Sequence, residues 1–211
     1  LIRKYLKAGV MENGLEKATI TGVPQGGPLS VVCSNIYLDK LDKELEQRGL
    51  RFTRYADDVL VFTKSEMAAN RVMKSICSWL ERKLFLKVNA TKTKVVRPTR
   101  SKYLGFTFLK NGGEWKVKPT NEKKKKLKKK LSEYLKRGKA TARPLADIIK
   151  RVNEIVRGWI NYFRIGMMKQ FMGEFGKWLR HKIRVIVMKQ WKKPKTIYRN
   201  LSYLNWKNRN G

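Results

Sequence analysis

The sequence predicts an α+β domain over residues 1–119 followed by a basic, all-α helical bundle over residues 120–211, and three observations carry that division. Up to Val117, short runs of β-branched and aromatic residues alternate with helix-period segments. Past Pro119 the apolar residues recur only at helical spacing. Charge shifts along the chain too: residues 1–100 hold 19 basic and 10 acidic side chains, residues 101–211 hold 31 and 6.

Taken in order, residues 14–30 are rich in Gly, Thr and Pro and end in Gly22-Val23-Pro24-Gln25-Gly26-Gly27-Pro28-Leu29-Ser30, which cannot be helix interior. Ser30 is expected to cap a helix whose apolar positions include Val31, Leu38, Leu41 and Leu45, closed by Gly49. Residues 51–63 alternate on both sides of Asp57-Asp58 and read as two strands meeting at an acidic turn. Ser65 and Glu66 open the next helix, with Met73, Ile76, Cys77, Leu80 and Leu84 at helical spacing. Short strands are expected at 85–88, 94–97 and 103–109, then a hairpin through Asn111-Gly112-Gly113 returning on Trp115 and Val117. Leu127, Leu131, Tyr134 and Leu135 form one narrow stripe on a helix ending near Gly138. Two longer helices follow, at about 144–165 with Ile148, Val152, Ile155, Val156 and Trp159, and at about 171–190 with Phe175, Trp178, Leu179, Ile183 and Ile186.

Composition narrows the function. With 42% hydrophobic residues the chain can bury a core, so it is a folded protein and not a basic tail. Its net charge of +34 calls for a polyanion, and nucleic acid comes first because each neutralised phosphate releases condensed counterions. A membrane surface is the competing polyanion, but no segment approaches the roughly 20 apolar residues of a spanning helix. Two cysteines, Cys33 and Cys77, and one histidine, His181, build neither a disulfide framework nor a Cys/His zinc site. A cytoplasmic, bacterial setting follows as the expectation, with any catalytic metal held by oxygen. The chain opens on Leu1-Ile2-Arg3-Lys4 and reads as a piece that starts in mid-protein.

Asp57 and Asp58 are the chemical centre. Adjacent carboxylates at the tip of an apolar hairpin repel each other, and Arg54 is the one basic neighbour in the local sequence. Such a pair is costly unless a cation sits on it, and Mg²⁺ is the hard ion that takes carboxylate oxygens and, in pairs, serves nucleotidyl transfer. A plain polar turn is the bland reading, since Asp is common in turns.

Context lifts the acidic pair above that reading. Tyr55-Ala56-Asp57-Asp58, flanked by Phe52 and Val59-Leu60-Val61-Phe62, resembles the active-site hairpin of group II intron reverse transcriptases, with Pro24-Gln25-Gly26-Gly27 about thirty residues upstream as that family has it. The stretch Ser34-Asn35-Ile36-Tyr37-Leu38-Asp39 matches the family's following helix. Leu86-Lys87-Val88-Asn89 with Lys92-Thr93 resembles the next polymerase motif, and Tyr103-Leu104-Gly105-Phe106 the primer-contacting hairpin. Arg157-Gly158-Trp159-Ile160-Asn161-Tyr162-Phe163 resembles the maturase-specific thumb. Val31, Val32 and Cys33 depart from the family's proline and leucines, a change of packing and not of chemistry.

The resemblance implies a partial polymerase palm, an antiparallel sheet with helices, followed by the thumb. It implies that Asp57 and Asp58 hold two Mg²⁺ ions, with a third carboxylate expected from an upstream palm strand for which Asp39 and Asp42 are poor substitutes. Lys92 would protonate the leaving pyrophosphate, with Lys94 competing for the role. Tyr55, Ala56, Gln25 and Gly26 would lie against template, primer or incoming nucleotide, and Tyr103, Leu104 and Gly105 would support the primer end. Lys123, Lys124, Lys125, Lys126, Lys128, Lys129 and Lys130, seven lysines in eight residues, would grip the nucleic-acid backbone. Aromatic residues Trp159, Tyr162 and Phe163 fit bundle core better than base stacking. The implied activity is RNA-directed DNA polymerisation, with an RNA template, a DNA or RNA primer and dNTPs as partners. This stretch alone is expected to bind nucleic acid without polymerising, and the missing N-terminal half of the protein is a further expected partner. Maturase-type binding of structured intron RNA is the alternative, and a host-adopted defence enzyme the third.

Overall fold

The computed structural model describes residues 3–4, 9–12, 15–17 and 28–210. The chain divides into two compact units, Leu1–Val96 and Arg97–Gly211.

In the first unit, β1 (Val10–Glu12) pairs antiparallel with β2 (Leu15–Lys17), Met11 opposite Glu16. Sequence reading had placed residues from 14 onward in a loop. The overlooked signal is the Asn13-Gly14 dipeptide, the strongest short-range mark of a hairpin. Helix α1 (Pro28–Gln47) starts two residues before Ser30, the expected cap. Proline suits a first helical turn, because the N–H it lacks would have had no partner there. Gly49, at φ +64°, ends the helix as expected. Strands β3 (Arg51–Tyr55) and β4 (Asp58–Phe62) form a hairpin, and Ser65 caps α2 (Glu66–Lys83) by accepting a hydrogen bond from the Ala68 N–H at 3.2 Å.

Leu38, Leu41 and Leu45 of α1 bury themselves with Leu84, and Phe52, Val61, Ile76, Trp79 and Leu80 close around them. This core fixes the hairpin's base against both helices, and the Tyr37 hydroxyl donates to the Leu84 carbonyl at 2.6 Å. The expected strands at 85–88 and 94–97 do not form. An alternating segment becomes a strand only beside an edge that completes its hydrogen bonds, and no described strand pairs with either run. The Asn89 side chain instead folds the chain into a turn, accepting from Thr91 N–H, Thr91 Oγ1 and Lys92 N–H.

In the second unit, β5 (Phe106–Asn111) and β6 (Glu114–Pro119) pair antiparallel around Gly112 and Gly113, at φ +60° and +86°. Positive φ at both central residues is what a type I′ turn requires, so the Asn-Gly-Gly reading stands. Helices α3 (Asn121–Tyr134), α4 (Arg137–Ala140), α5 (Leu145–Phe163), α6 (Lys169–Trp191) and α7 (Pro194–Asn210) follow. The first helix stops short of Gly138, a four-residue helix spans that point, and α7 is an addition to the expected set. Leu127, Leu131, Leu135, Ala140, Ile148, Val152, Phe175 and Ile186 form the core. Ile155, Val156, Trp159, Trp178 and Leu179 pack on it, as their spacing predicted.

An acidic hairpin and a sorted run of lysines

The register of β3 and β4 sets Tyr55 opposite Asp58 and leaves Ala56 and Asp57 as the two-residue turn. The acidic pair therefore straddles the turn's end: Asp57 is in it and Asp58 is the first residue of β4. Both side chains are exposed, and Tyr55 is 65% exposed. Ala56 has φ +53°, a conformation that Gly or Asn adopts more cheaply. Strain of this kind persists only where the surroundings hold it.

Arg54 supplies the hold. Its guanidinium clasps Asp42 of α1 through Nε to Oδ1 at 2.8 Å and Nη2 to Oδ2 at 2.5 Å. Its Nη1 donates to Asn35 Oδ1 at 2.9 Å and to the Ala56 carbonyl at 3.0 Å. A planar fork satisfied on both edges in this way fixes position as well as charge. The arginine that stood beside the acidic pair in sequence is thus turned toward α1, where it ties the strained turn to the helix. Asp42 is occupied by that clasp, and Asp39 pairs with Lys43 at 2.7 Å on an exposed surface, so neither serves the turn.

Asp57 makes no ion pair or hydrogen bond among the described residues. Its carboxylate and that of Asp58 are hard oxygen donors on adjacent residues, which fits Mg²⁺ in donor type. They supply two carboxylates, and no group of three possible ligands occurs among the described residues. Lys92 is exposed on the Asn89 turn. Gln25 and Gly26 lie outside the described residues.

In the second unit, Tyr103 and Phe106 exchange backbone hydrogen bonds at 3.0 and 2.8 Å around Leu104 and Gly105, at φ +50° and +82°. A β-carbon on Gly105 would lie 2.9 Å from Lys123 Cε and 3.4 Å from Phe163 Cζ, so a substitution strains the backbone and displaces the Lys123 side chain. The Tyr162 hydroxyl donates to the Leu104 carbonyl at 2.9 Å while its ring stacks on Phe106, 5.9 Å between centroids. Thr120 N–H donates to the Gly105 carbonyl at 2.9 Å. The turn is thereby seated on the end of α5 and the start of α3. Phe163 is 3% exposed, and Trp159 packs against it and Phe171, which is the core reading for these two, whereas Tyr162 is 55% exposed and departs from it.

The lysine run is sorted by the helix it sits on. Leu127 and Leu131 face the core, and Lys124 and Lys128 flank them with their ammonium groups 5.2 and 6.0 Å from the Phe171 ring centre. Burial, reinforced by nearby Lys118, lowers the Lys124 pKa. The Lys123 stem lies over Gly105. Lys125, Lys126, Lys129 and Lys130 are exposed, with Lys129 4.0 Å from Glu133. With Lys123, five of the seven are therefore exposed, and Lys124 and Lys128 are half-buried against Phe171.

Residues 1–108 match the family described as reverse transcriptase (RNA-dependent DNA polymerase), and residues 124–204 match the group II intron maturase-specific domain. The chain belongs to the group II intron reverse transcriptases. It is similar to the group II intron-encoded protein LtrA of Lactococcus lactis subsp. cremoris, 50% identical over 54 residues that cover 26% of this chain and 9% of that protein. It is also 30% identical to protein YkfC of Escherichia coli K12 over 143 residues, 52% of this chain and 36% of that protein. The 211 residues thus match well under two thirds of either relative's length. No described helix is long and apolar enough to cross a membrane.

Within this reverse transcriptase chain, sequence reasoning missed three contacts that hold the candidate sites in shape. Arg54 and Asp42 are twelve residues apart, Tyr162 and Leu104 fifty-eight, and no local pattern links either pair. The third contact joins Arg54 to Asn35, which the sequence shows only as part of a motif. Its service to Arg54 depends on where α1 passes the hairpin.

Proposed function

We propose that the parent protein is an RNA-directed DNA polymerase and that Asp57 and Asp58 are its metal-binding carboxylates. The observation that carries this reading is the hairpin itself: two exposed carboxylates on a strained turn that Arg54 anchors to α1, in a chain of the reverse transcriptase family. Mg²⁺ held there would stabilise charge on the attacking and leaving oxygens of nucleotidyl transfer, and the family's chemistry uses two such ions with a third carboxylate from elsewhere in the parent protein. Tyr55 and Ala56 lie against template, primer end or dNTP, the role that the family resemblance also assigns to Gln25 and Gly26. Lys92 holds the proton for the pyrophosphate that departs. Tyr103, Leu104 and Gly105 support the primer, and the lysines of α3 grip its backbone, with Lys125, Lys126, Lys129 and Lys130 doing most of it. We keep the boundary between partial palm and thumb at 119/120, where the strands end, and we expect the 211 residues alone to bind nucleic acid without extending a primer.

The test joins this chain to the upstream half of its parent and measures primer extension on an RNA template. Asp57→Ala and Asp58→Ala each lower extension about a thousandfold or more, on the scale of losing an electrostatic stabiliser of the transition state. Equal extension by the variants sinks the assignment.

The match to the maturase-specific domain favours a second role in the same protein, binding of structured intron RNA by the helical unit. That role survives loss of the aspartates. It falls when Lys125, Lys126, Lys129 and Lys130 become Gln, and unchanged RNA affinity at low salt after that change excludes the thumb from it.

A further inference from the structure

Between α6 and α7 the chain turns through Lys192 and Lys193 alone. Lys192 has φ +58° and ψ −63°, and the Lys193 N–H donates to the Trp191 carbonyl at 2.7 Å. That is a three-residue γ-turn of the rare, strained hand. Left-handed positions in this chain are held by glycines, Gly49, Gly112 and Gly113 among them, and by the non-glycines Ala56, Phe85, Leu104 and Lys192. A lysine at such a position gives up backbone comfort.

Two open clefts, each of about 500 Å³, meet at this turn and share Lys189 and Lys192. The first is bounded by Arg137 of α4, by Val185 and Met188 of α6 and by Ile197 of α7. The second is bounded by Thr141, Ala142 and Gln190. Gln190 Nε2 donates to the Arg143 carbonyl at 2.7 Å, which pins the α4–α5 connection to α6 and fixes that wall. Arg137, Lys189 and Lys192 make no ion pair among the described residues, and no acidic residue lines either cleft.

We propose that this junction is a binding site for an unpaired nucleotide of an RNA strand. The apolar floor of Val185, Met188 and Ile197 takes the base or ribose face, and Arg137, Lys189 and Lys192 take the flanking phosphates. A flat row of lysines binds a duplex backbone from outside, whereas a cleft with an apolar floor and cationic rim admits a base that has left the stack. Helix-end electrostatics account for Lys189, which lies in the last turn of α6, but not for a strained lysine beyond it. The proposal deepens the reading of the helical unit as an RNA-binding surface and rests on it.

The test uses the 211-residue chain, a labelled 12-nucleotide single-stranded RNA, an RNA duplex of the same length and a salt series. Lys192→Gly keeps the turn and relieves it, so the variant melts at a higher temperature while binding the single strand about tenfold more weakly, with a salt slope shallower by about 1. Arg137→Gln weakens single-strand binding similarly, and the duplex loses less with either change. A more stable Lys192→Gly variant with unchanged single-strand affinity overturns the proposal, because the turn is then only a helix end. Loss of binding to vesicles of one-third anionic lipid, with RNA affinity intact, overturns it in favour of a membrane. Lys125, Lys126, Lys129 and Lys130 changed together to Gln form the control: if they leave RNA affinity intact while Lys192→Gly lowers it, the assignment of the α3 lysines fails and the cleft stands as the RNA contact of the helical unit.

Discussion

Replacing Arg54 by Ala removes the clasp on Asp42, the bond to Asn35 and the buttress under the Ala56 carbonyl in one step. The side chains of Arg54 and Asp42 are 12% and 24% exposed, between a buried pair, whose rupture costs about 3–5 kcal/mol, and a surface pair worth at most about 1. Interpolation gives a loss of about 2–3 kcal/mol, which converts to a fall in amide-exchange protection of about 30- to 150-fold. Hydrogen exchange of the β3–β4 peptides reads this directly, and the loss concentrates there rather than in the second unit. Lys at position 54 keeps the charge but cannot fork, so Arg54→Lys recovers less than half of the protection. Asp42→Ala combined with Arg54→Ala costs clearly less than the two single changes added together, since each single change already breaks the same pair. Unaltered exchange across the hairpin in Arg54→Ala refutes the argument that this residue holds the turn.

Gly105→Ala meets both a left-handed backbone and the Lys123 stem, so it destabilises the second unit by about 1–3 kcal/mol in urea denaturation, and Lys123→Ala in the same chain restores only the part due to contact. Glu122 is held below its ordinary carboxylate range of about 4.5, first by its hydrogen bond from Lys102 and then by that lysine's charge. A depressed carboxylate contributes stability that is present above its unfolded value and lost as pH falls through the folded one. Thermal melting of the native chain therefore drops more steeply below pH 4.5 than that of Glu122→Gln, and parallel pH profiles would count against the pair.

The lysine run shows how one sequence feature carries several physical roles. Seven adjacent lysines look like one electrostatic object, yet a helix distributes them around its axis, and the stripe of Leu127, Leu131 and Leu135 decides which way each turns. Lys124 and Lys128 flank that stripe and end over Phe171, a residue forty-three positions beyond Lys128.

By itself the sequence determined the α+β class with its helical region, the helices α1, α2, α3, α5 and α6 to within a few residues, the β3–β4 and β5–β6 hairpins, and the family. Those features rest on periodicity, on turn dipeptides and on motif order, all written in neighbouring residues. Misplacements occurred where a segment's state depends on a distant partner: residues 85–88 and 94–97 have strand composition but no described ladder, and Ser30 was outranked by Pro28. The acidic turn was legible as a turn between two strands, while its support was not. Only tertiary structure turned Arg54 from a neighbour of the carboxylates into a clasp on Asp42, and set Tyr162 beneath Leu104. It also placed Arg137 across a cleft from Lys192. Hydrogen bonds and ion pairs need groups within about 3–4 Å, and across twelve or fifty-eight residues that proximity comes from the packing of elements, which no local pattern encodes.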